Sequence, residues 1–97
     1  MMPPHSPEII SLIRENSRLF WYVKPEYKES ISEEVLVETI LNYGDLNSVK
    51  RLFICLGIEK VAGIFHRQIH QSRVNYFRPV AHYFSLYFQK HVPGYPG

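Results

Sequence analysis

The chain has 97 residues, of which 45% are hydrophobic and 21% charged, so it is long enough for one domain and too apolar for wholesale disorder. Its single cysteine, Cys55, excludes an intrachain disulfide, and no apolar run approaches the roughly 20 residues of a membrane span. The start M-M-P-P-H-S-P lacks the apolar centre of a signal peptide. We therefore expect a cytoplasmic protein that does not insert into a membrane.

The net charge of +2 is unevenly distributed along the chain. Residues 1–49 carry four basic and eight acidic side chains, whereas residues 50–97 carry seven basic side chains and only Glu59 as an acid. This asymmetry indicates a charged partner, unless the two halves fold together so that their fields cancel.

The first predicted element is a short helix that follows a flexible tail over residues 1–6. Ser6 has the residue type of an N-cap, and Pro7 suits the first helical position, where its missing amide hydrogen does no harm. Polar residues then end this helix near Ser17.

An aromatic run over residues 19–23 comes next. It is too short for a helix and too aromatic for a loop, and Pro25 favours an extended conformation just before it. We expect an extended segment packed on the helices, with Phe20 and Trp21 anchored in the core.

Two further helices are predicted between residues 30 and 57. Ser30 and Glu33 have the spacing of a capping box, which predicts the start of the first of them. Gly44 is expected to end that helix in the left-handed conformation, Asp45 to cap the next, and Gly57 to end it.

The last third of the chain predicts two more helices, separated by a polar break over residues 71–75. The first contains Gly63, which we interpret as the mark of a close helix crossing. The second runs from about Pro79 to His91 and begins with proline at its first position. Residues 92–97 are expected to be a turn-prone C-terminal tail.

These patterns together predict an all-α fold. The domain should span residues 7–91 as a single compact bundle of four to five short helices, with the aromatic segment packed on it. The predicted core residues are Ile10, Ile13, Val35, Ile40, Val49, Leu52, Phe53, Leu56, Val61, Ile64, Phe65, Phe84 and Phe88.

Candidate catalytic and metal-binding groups are few. His66 and His70 lie four residues apart on one predicted helix, but no acidic residue or second cysteine completes a metal site. Glu34 and Glu38 have the same spacing, which on a charged helix is typical of a solvated face. The phosphate-binding, dinucleotide, hydrolase and redox motifs are absent. We expect a non-enzymatic protein without a cofactor or a metal.

Cations and rings alternate in the C-terminal half and predict a partner-binding face. Such a face can bind an acidic protein, since tyrosine and arginine are frequent at interface centres, and it leaves a homodimer open. It can also bind nucleic acid, and the corner at Gly57 is compatible with a helix-turn-helix, although the helix after it offers few cations. The predicted residues of the face are Arg67, His70, Arg73, Tyr76, Arg78 and His82.

Three stretches carry a family resemblance: L-F-W-Y-V-K-P (19–25), V-L-V-E-T-I-L-N-Y-G-D-L-N-S-V-K-R-L-F (35–53) and H-Y-F-S-L-Y-F (82–88). They resemble a family of small prokaryotic helical proteins known only as a domain of unknown function. Members tend to be encoded beside nucleotidyltransferases of the abortive-infection toxin type, so the resemblance implies an antitoxin or accessory role. Tyr22 stands where that family usually has an acid, and no site residue carries over.

Overall fold

The computed structural model describes residues 5–96 and contains five α-helices and two short 3₁₀ helices. The α-helices are α1 (Pro7–Glu15), α2 (Glu33–Tyr43), α3 (Leu46–Leu56), α4 (Ile58–Ile69) and α5 (Arg78–His91), and the 3₁₀ helices are Ser17–Phe20 and Pro25–Ser30. No strand occurs between residues 5 and 96, which confirms the predicted all-α fold. Within the same residues, no helix is both long and apolar enough to cross a membrane. Most of the predicted N-terminal tail, residues 1–4, lies outside the described residues.

Two of the predicted helix starts are confirmed, and a third is off by one residue. The Ser6 side chain accepts a hydrogen bond from a backbone amide in the first turn of α1, and Pro7 is the first helical residue. Asp45 caps α3 by accepting a hydrogen bond of 2.8 Å from the Ser48 amide, and this bond holds the pKa of the Asp45 carboxyl below its ordinary value. Pro79 lies in the first turn of α5, but as the second residue after Arg78 and not as the predicted first one.

Two expectations about the ends of α2 are wrong. Ser30 belongs to the second 3₁₀ helix, and the N-cap of α2 is Ser32, so the predicted capping box between Ser30 and Glu33 does not form. Gly44 has a φ of −75° and is extended rather than left-handed. Glycine is required there for another reason, because an added Cβ would lie 2.7 Å from the carbonyl oxygen of Ile40.

The aromatic run over residues 19–23 is turned rather than extended. The run begins inside the first 3₁₀ helix, which ends at Phe20 and has Trp21 as its C-cap. Because successive side chains of such a helix point about 120° apart, Phe20 and Trp21 do not both face the core. Phe20 is fully buried, whereas Trp21 is 80% exposed, and the predicted second anchor is therefore wrong. Tyr22 fixes the turn by a hydrogen bond of 2.7 Å between its hydroxyl and that of Thr39.

The core lies where α3 and α4 pack against each other and against α1 and α2. Nine of the thirteen predicted core residues are buried, and the other four are half-buried. The half-buried residues are Ile10, Val35, Phe53 and Leu56. The fully buried side chains include Leu12, Leu36 and Val37, which add to the predicted set.

A buried hydrogen-bond pair joins α1 to α3. The Asn16 side-chain amide donates to the Leu12 carbonyl at 3.0 Å, and its oxygen accepts from the Ser48 hydroxyl at 3.1 Å. Because both partners are buried and satisfied, this polar pair fixes where the end of α1 meets the start of α3.

Aromatic rings attach α5 to the rest of the bundle. Phe65 of α4 contacts Phe88 and Phe84 of α5, with ring centroids 5.4 and 6.3 Å apart. From α3, Phe53 reaches Tyr87 and Phe88 at 5.7 and 5.8 Å. Among the helices, α5 packs most closely on α4 and meets α3 through these rings.

Two glycines differ in what they require. Gly57, between α3 and α4, has a φ of +89° and ψ of 133°, a conformation that residues with a Cβ rarely adopt. Gly63 lies inside α4, and within the described chain an added Cβ would meet only the Arg67 Nη1 atom, at 3.9 Å. The predicted close helix crossing at Gly63 is therefore wrong.

Gly57→Ala and Gly63→Ala should change stability in opposite directions. Gly57→Ala should lower the free energy of unfolding by about 1–3 kcal/mol through backbone strain, since no atom near the site would clash. Gly63→Ala should raise it by about 0.5–1 kcal/mol through helix propensity. Urea unfolding of both variants tests this, and destabilisation by Gly63→Ala would contradict the account of α4.

Candidate protein interface

Five of the six predicted partner-binding residues are exposed and follow one path along the chain. The path starts at the end of α4, crosses the turn to α5 and continues along the first turns of α5. We call these residues the basic edge: Arg67, His70, Arg73, Arg78 and His82.

The sixth predicted residue, Tyr76, is buried and is removed from the face. It is 7% exposed, and its hydroxyl donates a hydrogen bond to the side-chain oxygen of Gln68. The Gln68 amide in turn donates to the Glu34 carbonyl at 2.9 Å, which joins the α4–α5 turn to α4 and α2. Burial, with a smaller contribution from the charge of Glu38, raises the pKa of Tyr76 above its ordinary value. Tyr76 is a structural residue.

Asn42 of α2 positions the turn that carries part of the basic edge. Its side-chain amide donates to the Asn75 carbonyl at 3.2 Å, and its side-chain oxygen accepts from the Phe77 amide at 3.2 Å. These two hydrogen bonds therefore fasten the turn between α4 and α5 to α2. The position of the turn also determines where Arg73 and Arg78 lie. No sequence pattern pointed to Asn42.

Most cations of the C-terminal half have no intrachain ion pair. Two ion pairs within residues 5–96 join the basic half to the acidic half, Arg51 with Glu15 and Lys60 with Glu33. The remaining five basic side chains of that half form none in the same part of the chain: Lys50, Arg67, Arg73, Arg78 and Lys90. The acidic and basic halves therefore cancel little of each other's charge when they fold together, and most of the charge asymmetry remains on the surface.

An apolar groove that sequence reasoning missed lies between α3 and α5. It contains a cavity of about 180 Å³ between the two helices and continues into a more open hollow of about 390 Å³ that is lined by α5 alone. We call the two together the α3–α5 groove. Its cavity is lined by Leu46, Val49, Lys50, Phe53, Tyr83, Phe84 and Tyr87. Its hollow is lined by Tyr83, Leu86, Tyr87, Lys90 and His91.

A row of stacked rings forms one wall of the groove. Tyr87 lies between Phe53 and Tyr83, with ring centroids 5.7 and 6.1 Å away and ring planes within 30° of parallel. The His91 ring lies 4.3 Å from the Tyr87 ring on the next turn. Each ring of the wall therefore packs against the next and limits its rotation.

The rim of the groove is cationic. Neither α3 nor α5 contains an aspartate or a glutamate. Lys50 lines the cavity, and Lys90 and His91 line the hollow. Both parts of the groove thus combine an apolar floor with a basic side chain at the edge.

The two histidines that suggested a metal site contact each other and form no larger cluster. The rings of His66 and His70 lie 4.2 Å apart, and the Nδ1 atom of His70 forms a hydrogen bond of 2.8 Å with the His66 carbonyl oxygen. In the part of the chain that is described, no three histidine, cysteine or acidic side chains are grouped so that they could hold a metal ion.

The α3–α4 corner at Gly57 offers little to a phosphate backbone. The exposed side of α4 presents Glu59, and its neighbour Lys60 is paired with Glu33 at 2.9 Å. Arg67 near the end of α4 is the cation that this helix leaves unpaired within residues 5–96. This is a thin contact set for a recognition helix, which needs several phosphate and base contacts.

No family model, curated protein or solved structure matched this chain. The family resemblance in the sequence therefore stays a prediction. The basic edge and the α3–α5 groove are the surfaces that point to a function.

Tyr76→Phe should lower the free energy of unfolding at pH 7 by about 1–2 kcal/mol, because the buried Gln68 oxygen loses its donor. The difference from the parent protein should shrink above about pH 10. Above that pH, Tyr76 ionises in the unfolded chain but stays neutral in the folded chain, so the free energy of unfolding of the parent falls. The variant has no hydroxyl at this position and shows no such fall.

Urea unfolding between pH 7 and 11 measures this difference. Tyr27→Phe is the matched control, since Tyr27 is exposed, and it should stay within about 0.5 kcal/mol of the parent. A difference between Tyr76→Phe and the parent that does not vary with pH would contradict the assignment of a buried, neutral Tyr76.

Proposed function

We propose that this protein is a non-enzymatic interaction protein whose basic edge binds an acidic surface of a partner protein. The observation that carries the proposal is the set of exposed cations without an intrachain carboxylate in residues 5–96, next to the exposed ring of Tyr83 on α5. Charges arranged in this way steer an oppositely charged partner and select against wrong ones.

The partner that we propose is a nucleotidyltransferase of the abortive-infection toxin type, which makes this protein antitoxin-like. The support for this class is the sequence resemblance over residues 19–90. Its chemistry agrees with the basic edge, because such an enzyme needs acidic side chains to hold its metal ions. A basic surface seated over those carboxylates would block the metal or the substrate from reaching them.

Nucleic acid is the second candidate partner, since the arginines of the basic edge can contact phosphates. The two candidates differ in their response to salt. The logarithm of the affinity for DNA or RNA falls linearly with the logarithm of the salt concentration. The slope of this line is proportional to the number of phosphates contacted. Binding of an acidic protein through a few exposed ion pairs also weakens with salt, but without the counterion release that makes the slope for nucleic acid steep.

Reversal of Arg73 and Arg78 to glutamate should weaken binding of the proposed nucleotidyltransferase partner by at least about tenfold, because it places acids against acids. The same variant should fail to relieve growth arrest when it is expressed together with that toxin. Both side chains are exposed and unpaired in the described residues, so the fold should persist.

The matched control is the reversal of Arg18 and Lys24, two exposed cations of the acidic half, which should change affinity by no more than about twofold. Titration calorimetry at 50 and 300 mM salt provides the measurement. Loss of affinity in both double variants, or absence of binding by the parent protein, would refute the proposed partner. Steep salt dependence with an oligonucleotide would favour nucleic acid instead.

A further inference from the structure

We infer that the α3–α5 groove is the docking site for an acidic, amphipathic helix of the partner protein. The inference rests on the proposed function, since it names the element of the partner that is bound. It adds a second contact to the basic edge, because the groove is lined by other residues.

The less open part of the groove has the size of a side chain rather than of a free metabolite, and the hollow of about 390 Å³ is too open to enclose a metabolite. Its cavity of about 180 Å³ is comparable to the roughly 150 Å³ that accommodates a benzene molecule, so it can take one aromatic or branched aliphatic side chain. Small-molecule sites usually have about 300–1,000 Å³ and converging polar groups. In this cavity, the one charged side chain is Lys50 at the edge.

The arrangement of cavity and hollow fits a helix. The lining residues move along α5 from Phe84 in the cavity to Lys90 and His91 in the hollow, with Tyr83 and Tyr87 shared between the two. The cavity and the hollow therefore lie about one helical turn apart along α5, roughly 5 Å. Side chains at positions i and i+4 of a bound helix have this separation, so one would enter the cavity and the other the hollow.

The charge of the groove selects an acidic helix. With no carboxylate on α3 or α5, Lys50, Lys90 and His91 meet no acid of their own helices. A partner helix with glutamates flanking its apolar stripe would place them opposite the two lysines. Both lysines are exposed, so they can reach toward such glutamates without disturbing the groove floor.

The same charges disfavour a second copy of this chain. In a twofold symmetric dimer each patch meets itself, so Lys50 and Lys90 of one copy would face cations of the other. The ring wall disfavours single-stranded nucleic acid, which stacks successive bases on several free ring faces, because Tyr83 is the one tyrosine or phenylalanine of the wall that is mostly exposed. Here the Tyr87 ring already stacks with Phe53 and Tyr83.

The test uses the full chain and a fluorescein-labelled synthetic helix of about 18 residues. The peptide carries leucine and phenylalanine at positions i, i+4 and i+7 and glutamates on the flanking positions. Its twin has every glutamate replaced by lysine. In a fluorescence anisotropy titration we expect the acidic peptide to bind and the basic twin to bind at least tenfold more weakly.

Tyr83→Glu is the groove variant, and Tyr27→Glu is its matched control. The two tyrosines are 56% and 59% exposed, and Tyr27 lies in the second 3₁₀ helix, outside the groove. We expect Tyr83→Glu to weaken binding of the acidic peptide at least tenfold and Tyr27→Glu to change it less than twofold. Thermal unfolding checks that both variants are folded. Lys90→Glu is a second groove variant, with Lys24→Glu as its control, and it tests the charge of the rim while leaving the apolar floor intact.

The outcomes separate this inference from the proposed function. If the nucleotidyltransferase binds Tyr83→Glu as tightly as the parent while the Arg73 and Arg78 reversal abolishes binding, the groove inference is overturned and the proposed function stands. If the acidic peptide binds in the groove and the nucleotidyltransferase does not bind at all, the inference stands and the proposed partner is wrong. A parent protein that is dimeric, and monomeric as Tyr83→Glu, would make a second copy the occupant and overturn the inference.

Discussion

The ring packing between α4 and α5 is the interaction on which the rest of the structure depends. Phe65 of α4 lies at its centre and contacts Phe84 and Phe88 of α5 and Tyr76 of the preceding turn. An isolated helix of 14 residues is marginal in water, so α5 owes its position to these buried rings. Because the rings bring α5 onto α4, α3 meets α5 through side chains, and the space left between them is the α3–α5 groove.

Two amide side chains, the buried Gln68 and the half-buried Asn42, extend that constraint to the basic edge. Gln68 accepts from Tyr76 and donates to the backbone of α2, and Asn42 of α2 holds the turn between α4 and α5. Loss of either partner would leave a polar group without a hydrogen bond in or near the core, which is costly. The places of Arg73 and Arg78 on the surface are thus set by hydrogen bonds beneath them, and the interface is part of the same folding unit as the core.

The sequence predicted the features that depend on one or two residues and missed those that depend on distant ones. Asp45 and Gly57 mark helix ends by their own side chains or backbone, so their roles could be predicted. Ser32 could not be chosen over a nearby serine, because the 3₁₀ helices of residues 17–30 are held by contacts with α1 and α2. Tyr76 looked like a surface residue in a polar stretch, since its partner becomes adjacent only in three dimensions. The groove has no local pattern at all, because its two walls come from separate helices.

The division of the cations into paired and unpaired sets explains why folding does not cancel the charge asymmetry. Arg51 and Lys60 hold the acidic half in place, and binding through them would first have to break an ion pair. The exposed cations of α5 repel one another only weakly in solvent, where charges more than about 8 Å apart are screened. When a partner excludes water, the effective dielectric constant falls and each new contact with a carboxylate becomes stronger. Within the described chain, Arg78 and Lys90 have no ion pair to break on binding. An acidic partner therefore gains the new contact with each of them, less the cost of removing the charges from water.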